Sequence, residues 1–306
     1  MPTVTRRTAI GTGIGIVAVA AVGTVFAYRQ SSIGATLVPS GAITTKALTS
    51  TSLLIGARAK NPSGSLATAF TDAAARLGPL QVTRVFYGSL PARHIRISPS
   101  TVLEIISYKS SAGSANLTSF AKSLTHGEMM TLHHEPEGPT DYASGAQFIS
   151  AFTTDYNIVH PLGVPFGMIA GAYQYRAKGR GYNGSYIPST ADFYAVDTYR
   201  DGSREVGYGA IVPLTQVAEF QRWYSLVQGK GKPLMVTEYG RGTVGNGEVA
   251  STPTKRLAVL PMDIQWLRDH GFSAFALWFS NSGPDGRAWI PTDAGYYTAF
   301  NAIVRG

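Results

Sequence analysis

Short apolar runs recur along the chain from Ser52 onward, each ending in polar or ionisable residues and each followed by an amphipathic or irregular stretch. The spacing predicts strands over Ser52 to Arg58, Val82 to Gly88, Val102 to Tyr108, Glu128 to His134, Phe166 to Ala172, Phe193 to Tyr199, Leu234 to Tyr239 and Ser273 to Phe279. Helical periodicity falls between them, over Ser65 to Leu77, Ala115 to Leu124, Tyr142 to Val159, Leu214 to Gln228 and Thr254 to His270, with Ala294 to Val304 closing the chain. Ser114 with Thr118, and Thr215 to Glu219, read as helix starts; Gly78, Gly229 and Gly271 sit where helices should stop. The connections after the second and fifth strands look irregular. Eight strands, most backed by a helix, predict a (β/α)₈ barrel over residues 51–306. No internal repeat is strong enough to argue from.

The first 50 residues, ahead of this pattern, are different. Thr5-Arg6-Arg7-Thr8 precedes Gly11 to Ala27, an uncharged stretch rich in Gly, Ala and Val, and Val25-Phe26-Ala27 offers small residues at cleavage positions. Residues 1–27 therefore read as a twin-arginine export signal, or as an uncleaved membrane anchor, since the 18 residues from Ile10 to Ala27 are just long enough to span. Residues 28–50 read as a flexible linker. The expected location is secreted or cell-surface.

Composition narrows the function. Charged residues make up 14% of the chain, against the usual ~25%, which suits an exported protein or one that binds neutral polar ligands. The net charge of +8 does not predict a nucleic-acid partner. Arg6, Arg7, Arg29, Lys46, Arg58 and Lys60 supply six of those charges before the first acidic residue, Asp72. No basic helix or basic-aromatic ribbon stands out. The absence of cysteine excludes disulfides, thiolate metal sites and a cysteine nucleophile. No cofactor is expected, and the oligomeric state is not legible.

Barrel chemistry collects at the C-terminal ends of strands. Those ends carry Arg58 or Lys60, Tyr87, Tyr108 or Lys109, then His133, His134, Glu135 and Glu137, then Tyr173 and Tyr175, Asp197 and Tyr199, Glu238 and Tyr239, and Trp278 and Asn281. The set is acidic, aromatic and hydroxyl-rich, with no phosphate cradle. Two carboxylates 103 residues apart, Glu135 and Glu238, end two apolar strands and suggest an acid paired with a nucleophile. Glu137 competes with Glu135 for the acid role. Asp197 reads as structural, fixing the sixth strand or an arginine. Trp278 reads equally as a sugar-stacking platform or a core residue. The tyrosines at 173, 175, 182 and 186 flank Arg176, Lys178 and Arg180 in a glycine-rich loop, a cleft wall or a solvated loop.

Glu135 followed by Pro136, and Glu238 within Thr-Glu-Tyr-Gly, resemble the acid/base and nucleophile of clan A retaining glycoside hydrolases. His134 before the acid is similar to family 26, the β-mannanase-type group, and Asp197-Thr198-Tyr199 resembles that family's Asp-x-Tyr. The resemblance implies a retaining glycosidase, endo-acting and mannanase-like, with Tyr199 hydrogen-bonded to the nucleophile and a carbohydrate substrate. Pro136-Glu137-Gly138 departs from the Met-Asn-Gly often found after the acid, so the sugar is left open. Substrate contacts are expected from His134, Tyr199, Trp278, Arg58 and Tyr173, with Glu135 raised in pKa and Glu238 ionised. The predicted carboxyl separation is ~5–5.5 Å, that of a retaining enzyme. A metal hydrolase is a poor match, because adjacent histidines on a strand face opposite ways and no HExxH spacing occurs. A non-catalytic carbohydrate-binding barrel displayed at the cell surface is the alternative.

Overall fold

A computed structural model describes residues 52–59, 65–124, 127–138, 141–202, 209–242, 252–280, 289–291 and 294–305. The export segment and linker predicted over residues 1–50 lie outside these, as do Lys60 and Asn281. Eight parallel strands are present: β1 (Leu54–Ala59), β2 (Val82–Ser89), β3 (Leu103–Ser110), β4 (Glu128–Leu132), β5 (Met168–Gly171), β6 (Tyr194–Arg200), β7 (Leu234–Arg241) and β8 (Phe272–Phe279). They are hydrogen-bonded in the order β4-β3-β2-β1-β8-β7-β6-β5. A parallel bridge between Met130 and Phe166 joins the two ends, with Met130 N donating to Pro165 O at 2.9 Å and Gly167 N to Met130 O at 3.0 Å. The ring of eight is a (β/α)₈ barrel, as the strand pattern predicted.

Among the described residues six helices back the strands: α1 (Leu66–Leu77), α2 (Ser114–Lys122), α3 (Gly145–Val159), α4 (Ala218–Val227), α5 (Thr252–Asp269) and α6 (Ala294–Arg305). The period-two alternation of each strand divides two cores. Val82, Leu103, Ile105, Met129, Ile169, Phe193, Ala195, Met235, Ala274 and Ala276 fill the lumen, and a larger layer including Phe70, Phe120, Phe152, Trp223 and Phe300 lies between strands and helices. No helix among the described residues is long and apolar enough to cross a membrane.

The local differences from the sequence reading have physical causes. The fourth strand ends at Leu132, not His134, because His133 takes a φ of 52° that no strand accommodates. Helix α3 starts at Gly145, not Tyr142, where the Ser144 hydroxyl accepts from Gln147 N at 3.2 Å. The fourth helical segment divides at Val217, leaving a 3₁₀ turn over Leu214–Gln216 ahead of α4. Its stop is Gly231, at φ 63°, rather than Gly229. The irregular connections expected after β2 and β5 are both present. Behind β3 and β4, buried Glu104 and Glu128 take His94 (2.9 Å) and Arg96 (3.1 Å) from the β2–β3 connection, filling the layer where a helix would pack.

Candidate active site

Alternation along β6 places Ala195 in the lumen and Val196 in the outer layer, so Asp197 faces inward near the top of the barrel. Its neighbour β7 breaks the rule. Val236 pairs with Val196, yet Glu238, not Thr237, pairs with Asp197, which marks a β-bulge. Met235 lies inside while Val236 and Tyr239 both lie outside, and the extra residue turns Thr237 and Glu238 inward together. Thr237 Oγ1 donates to Asp197 Oδ1 at 2.6 Å, and Glu238 Oε1 accepts from Arg84 Nη1 at 2.6 Å. The bulge delivers a carboxylate and its neighbour's support to one place.

Arg84 comes from the middle of β2 and is buried. Its Nη1 lies 2.9 Å from both oxygens of Asp197 as well as on Glu238, and its Nη2 donates to Ser107 Oγ at 3.0 Å. Tyr199 OH donates to the other oxygen of Glu238. The glycine of Thr-Glu-Tyr-Gly makes this possible: a Cβ on Gly240 would sit inside the Tyr199 ring. Tyr199 also meets Trp289 and Trp278 edge-on, with centroids 5.0 and 6.0 Å away. Glu238 is 4% exposed and has both oxygens occupied by donors.

Glu135 is delivered differently. After β4 the backbone enters the left-handed region at His133 (φ 52°) and again at Glu135 (φ 54°), two residues with side chains in a conformation that ordinarily favours glycine. Glu135 N donates to Ile169 O at 2.8 Å, and Gly138 N to Glu135 O at 3.0 Å, which fixes the turn across to β5. Gly171 ends β5, and a Cβ there would lie 2.9 Å from Glu135 Oε1. The Glu135 carboxyl therefore lies over the end of β5 and opens on a cleft lined also by Tyr173, Gln174, Thr198, Tyr199 and Glu219. Among the described residues none donates a hydrogen bond to it.

The two glutamates are electrostatic neighbours, each raising the cost of ionising the centre. Burial, then the charges of Asp197 and Glu137, raises Glu135 to about 8 against the pull of Arg84. Burial and Asp197 also push Glu238 well above the carboxylate range, opposed by Arg84 and Arg58. Burial raises both groups, and donors decide between them. Two donors meet Glu238 and none meets Glu135, so the proton belongs on Glu135 and the charge on Glu238. Burial opposes the Arg84 cation, but Asp197 and Glu238 hold it above its usual range.

Glu137, the competing candidate, is fully buried, takes Tyr175 OH at 2.8 Å and Gly171 N at 3.4 Å, and is raised by burial to about 7. It supports the turn from behind. Arg180 ties this turn to the β5–β6 connection through the carbonyls of Glu137, Gly138 and Tyr142 and the hydroxyl of Tyr186. Tyr175, Arg180 and Tyr186 are therefore parts of a pinned wall rather than loose sugar contacts. Tyr173, 41% exposed with the Arg176 guanidinium 3.4 Å over its ring, lines the cleft.

His134 packs edge-on against Phe86 at 4.7 Å, and burial followed by the charge of Arg84 keeps its imidazole neutral. His133 turns away to Asp141, 3.3 Å from its Nε2. No group of three or more metal-ligating side chains occurs among the described residues. The Arg58 guanidinium packs on the rings of Phe86 (5.0 Å) and Trp278 (4.7 Å), and Trp278 also meets Tyr199 edge-on. Sequence reasoning missed Arg84, Ser107, Thr237, Phe86 and Trp289. Arg84 carried a usable signal, since an arginine inside an apolar strand requires a buried carboxylate partner, and Asp197 had been read as fixing an arginine.

No protein-family model matches the sequence, and no curated protein sequence matches it. Solved structures match in fold. A modular endo-β-1,4-mannanase of glycoside hydrolase family 26 from Cellulomonas fimi is 16% identical with a TM-score of 0.53, over 86% of this chain and 74% of that one. The catalytic domain of a family 26 endo-β-1,4-mannanase from a Bacillus species is 13% identical at 0.55, over 87% and 91%. A family 128 endo-β-1,3-glucanase from Amycolatopsis mediterranei is 13% identical at 0.51, over 81% and 98%. At such identities the likeness is one of fold, and it is the fold of the group that His134-Glu135 and Asp197-x-Tyr199 resemble.

Proposed function

We propose that this protein is an exported retaining glycoside hydrolase that cleaves β-linked polysaccharide or oligosaccharide by double displacement. The observation that carries the reading is the asymmetry of two neighbouring carboxyls at one barrel mouth. Glu238 is held by Arg84 and Tyr199 with both oxygens occupied, while Glu135 faces the cleft with none. In the first step a Glu238 oxygen attacks the anomeric carbon as the glycosidic bond breaks, and Glu135 gives its proton to the departing oxygen. The sugar is left as an ester on Glu238. Glu135, now ionised, takes a proton from water as that water attacks the anomeric carbon and releases Glu238. This chemistry requires the two carboxyls ~5–5.5 Å apart.

The neighbours have corresponding tasks. Tyr199 and Arg84 fix the nucleophile and stabilise it as it leaves the ester. His134, whose neutral imidazole has no hydrogen-bond partner among the described residues, orients a sugar hydroxyl or the acid. Trp278 and Tyr173 offer faces to the sugar. Reducing-sugar release from mannans, xylans, β-glucans and cell-wall glycans, compared between wild type and Glu238→Ala, tests the reading.

The pH profile supplies a second test. A general acid must be protonated, so kcat/KM is expected to fall on the alkaline side as Glu135 ionises at about 8. Glu135→Gln should remove that limb and lower the rate by ~10²–10⁴ on natural glycans, with far less loss on an aryl glycoside whose leaving group departs without a proton. An alkaline limb unchanged in the variant assigns the acid elsewhere, with Glu137 next in line.

Export rests on Arg6-Arg7 and the apolar stretch behind them. Replacing both arginines by lysine should leave the protein inside the producing cell, seen by immunoblotting of cell and medium fractions. Unchanged export would remove the twin-arginine route from the proposal.

A further inference from the structure

The mechanism above leaves one strongly placed group without a role. Arg58, at the end of β1, is 6% exposed, and its buried Nε and Nη1 have no hydrogen-bond partner among the described residues. A buried guanidinium with orphaned donors is costly, and native proteins seldom keep one without a use. Its guanidinium carbon lies 5.0 and 4.7 Å from the ring centroids of Phe86 and Trp278, so it is held by two aromatic rings without a hydrogen bond to the described residues. Both aromatic rings are only half-buried, which puts them at the open mouth of the barrel.

The charge around it is uneven. On the β4–β7 side stand Glu135, Glu137, Asp197 and Glu238, with Arg84 already shared between the last two. On the β1–β3 side stand Arg58 and Lys109, the latter exposed at the end of β3, and its charge is felt by His133 and His134 at the end of β4. In the free enzyme Arg58 offsets Glu238 at a distance, without a bond to it: the oxygens of Glu238 are taken by Arg84 and Tyr199. Once the sugar is esterified to Glu238 that negative charge is gone. The charge passes to Glu135, which has given up its proton, Arg84 keeps Asp197, and Arg58 loses the carboxylate that offset it.

We infer that Arg58 is the recognition point for an anionic substituent on the bound sugar, above all the carboxylate of a uronic acid, so that the glycan cleaved here is acidic. The inference rests on the glycosidase reading for treating the barrel mouth as a sugar subsite. A carboxylate entering beside Phe86 and Trp278 would satisfy the orphaned donors with charge-assisted hydrogen bonds and give Arg58 the bonded counter-charge that Glu238 does not supply. Neutral hydroxyls would satisfy the donors and leave the charge unmatched.

The test uses paired substrates: a β-linked glycan containing uronic acid and the same glycan with its carboxyls reduced to primary alcohols, plus a sulfated glycan and its desulfated twin. Wild type should favour a charged member over its neutral twin by ~10-fold or more in kcat/KM. Arg58→Gln should remove that preference, and Arg58→Lys should retain part of it. Whether carboxylate or sulfate ester is favoured identifies the substituent. Wild-type preference for the neutral twins overturns the inference, as does an equal loss on both twins in Arg58→Gln, which would confine Arg58 to supporting Glu238. Affinity electrophoresis on the same pairs separates the two readings. Binding of the charged twin that depends on Arg58, with no cleavage by wild type, keeps this inference and removes the hydrolase; cleavage without charge preference does the reverse.

Discussion

Glu238→Ala is expected to lower glycan hydrolysis by about 10⁴-fold while leaving the fold intact, because it removes the atom that forms the ester and nothing that holds the barrel together. Arg84 keeps its contacts with Asp197 and Ser107, and Thr237 keeps its bond to Asp197, so the buried centre stays paired. The alanine leaves a void beside the anomeric carbon with a cationic wall. Added azide should enter it, attack from the nucleophile's face and give a glycosyl azide of inverted configuration, with the aryl leaving group lost. Mass spectrometry and NMR of the products read this directly. Wild-type rates in the variant would sink the assignment of the nucleophile. No hydrolysis by wild type on any glycan, with binding by both proteins, would instead describe a displayed carbohydrate-binding barrel.

The same substitution shows which parts of the site a sequence can reveal. Strand-end carboxylates are visible because an apolar run that stops at a charge is a one-dimensional pattern, and Glu135, Glu238 and the Asp197-x-Tyr199 pair all sit in such patterns. Arg84 does not: it lies three residues from the end of its apolar run, and its partners Ser107 and Asp197 come from β3 and β6, brought to it only by the closed sheet. The bulge at Thr237 is equally silent, since no glycine or proline marks it and its trace is only the slip from Val196–Val236 to Asp197–Glu238. In sequence Glu135 is the favoured acid and Glu137 only its competitor. The left-handed turn at Glu135 separates them, sending one carboxyl over Gly171 toward the cleft and the other back to Tyr175.

Arg84→Met is expected to cost about 3–5 kcal/mol of stability at neutral pH, more than any surface substitution, because it strands two buried carboxylates on one missing partner. Asp197 would keep only Thr237 and Glu238 only Tyr199. The pH dependence distinguishes this cause from a simple packing defect. Burial already raises both carboxyls in the native state, and Arg84 is the main charge holding them down. Without it they rise further, while in the unfolded chain they titrate near ~3.9 and ~4.3. Between those values and the raised native ones the folded protein binds more protons than the unfolded, so its stability increases as pH falls. Urea unfolding at pH 8 and pH 5 should therefore show the deficit of the variant shrinking at the lower pH, and Arg84→Met combined with Asp197→Asn should recover part of the loss at pH 8. A deficit independent of pH would mean that the methionine fails on shape alone and that the three charges are not the unit that holds Glu238 in place.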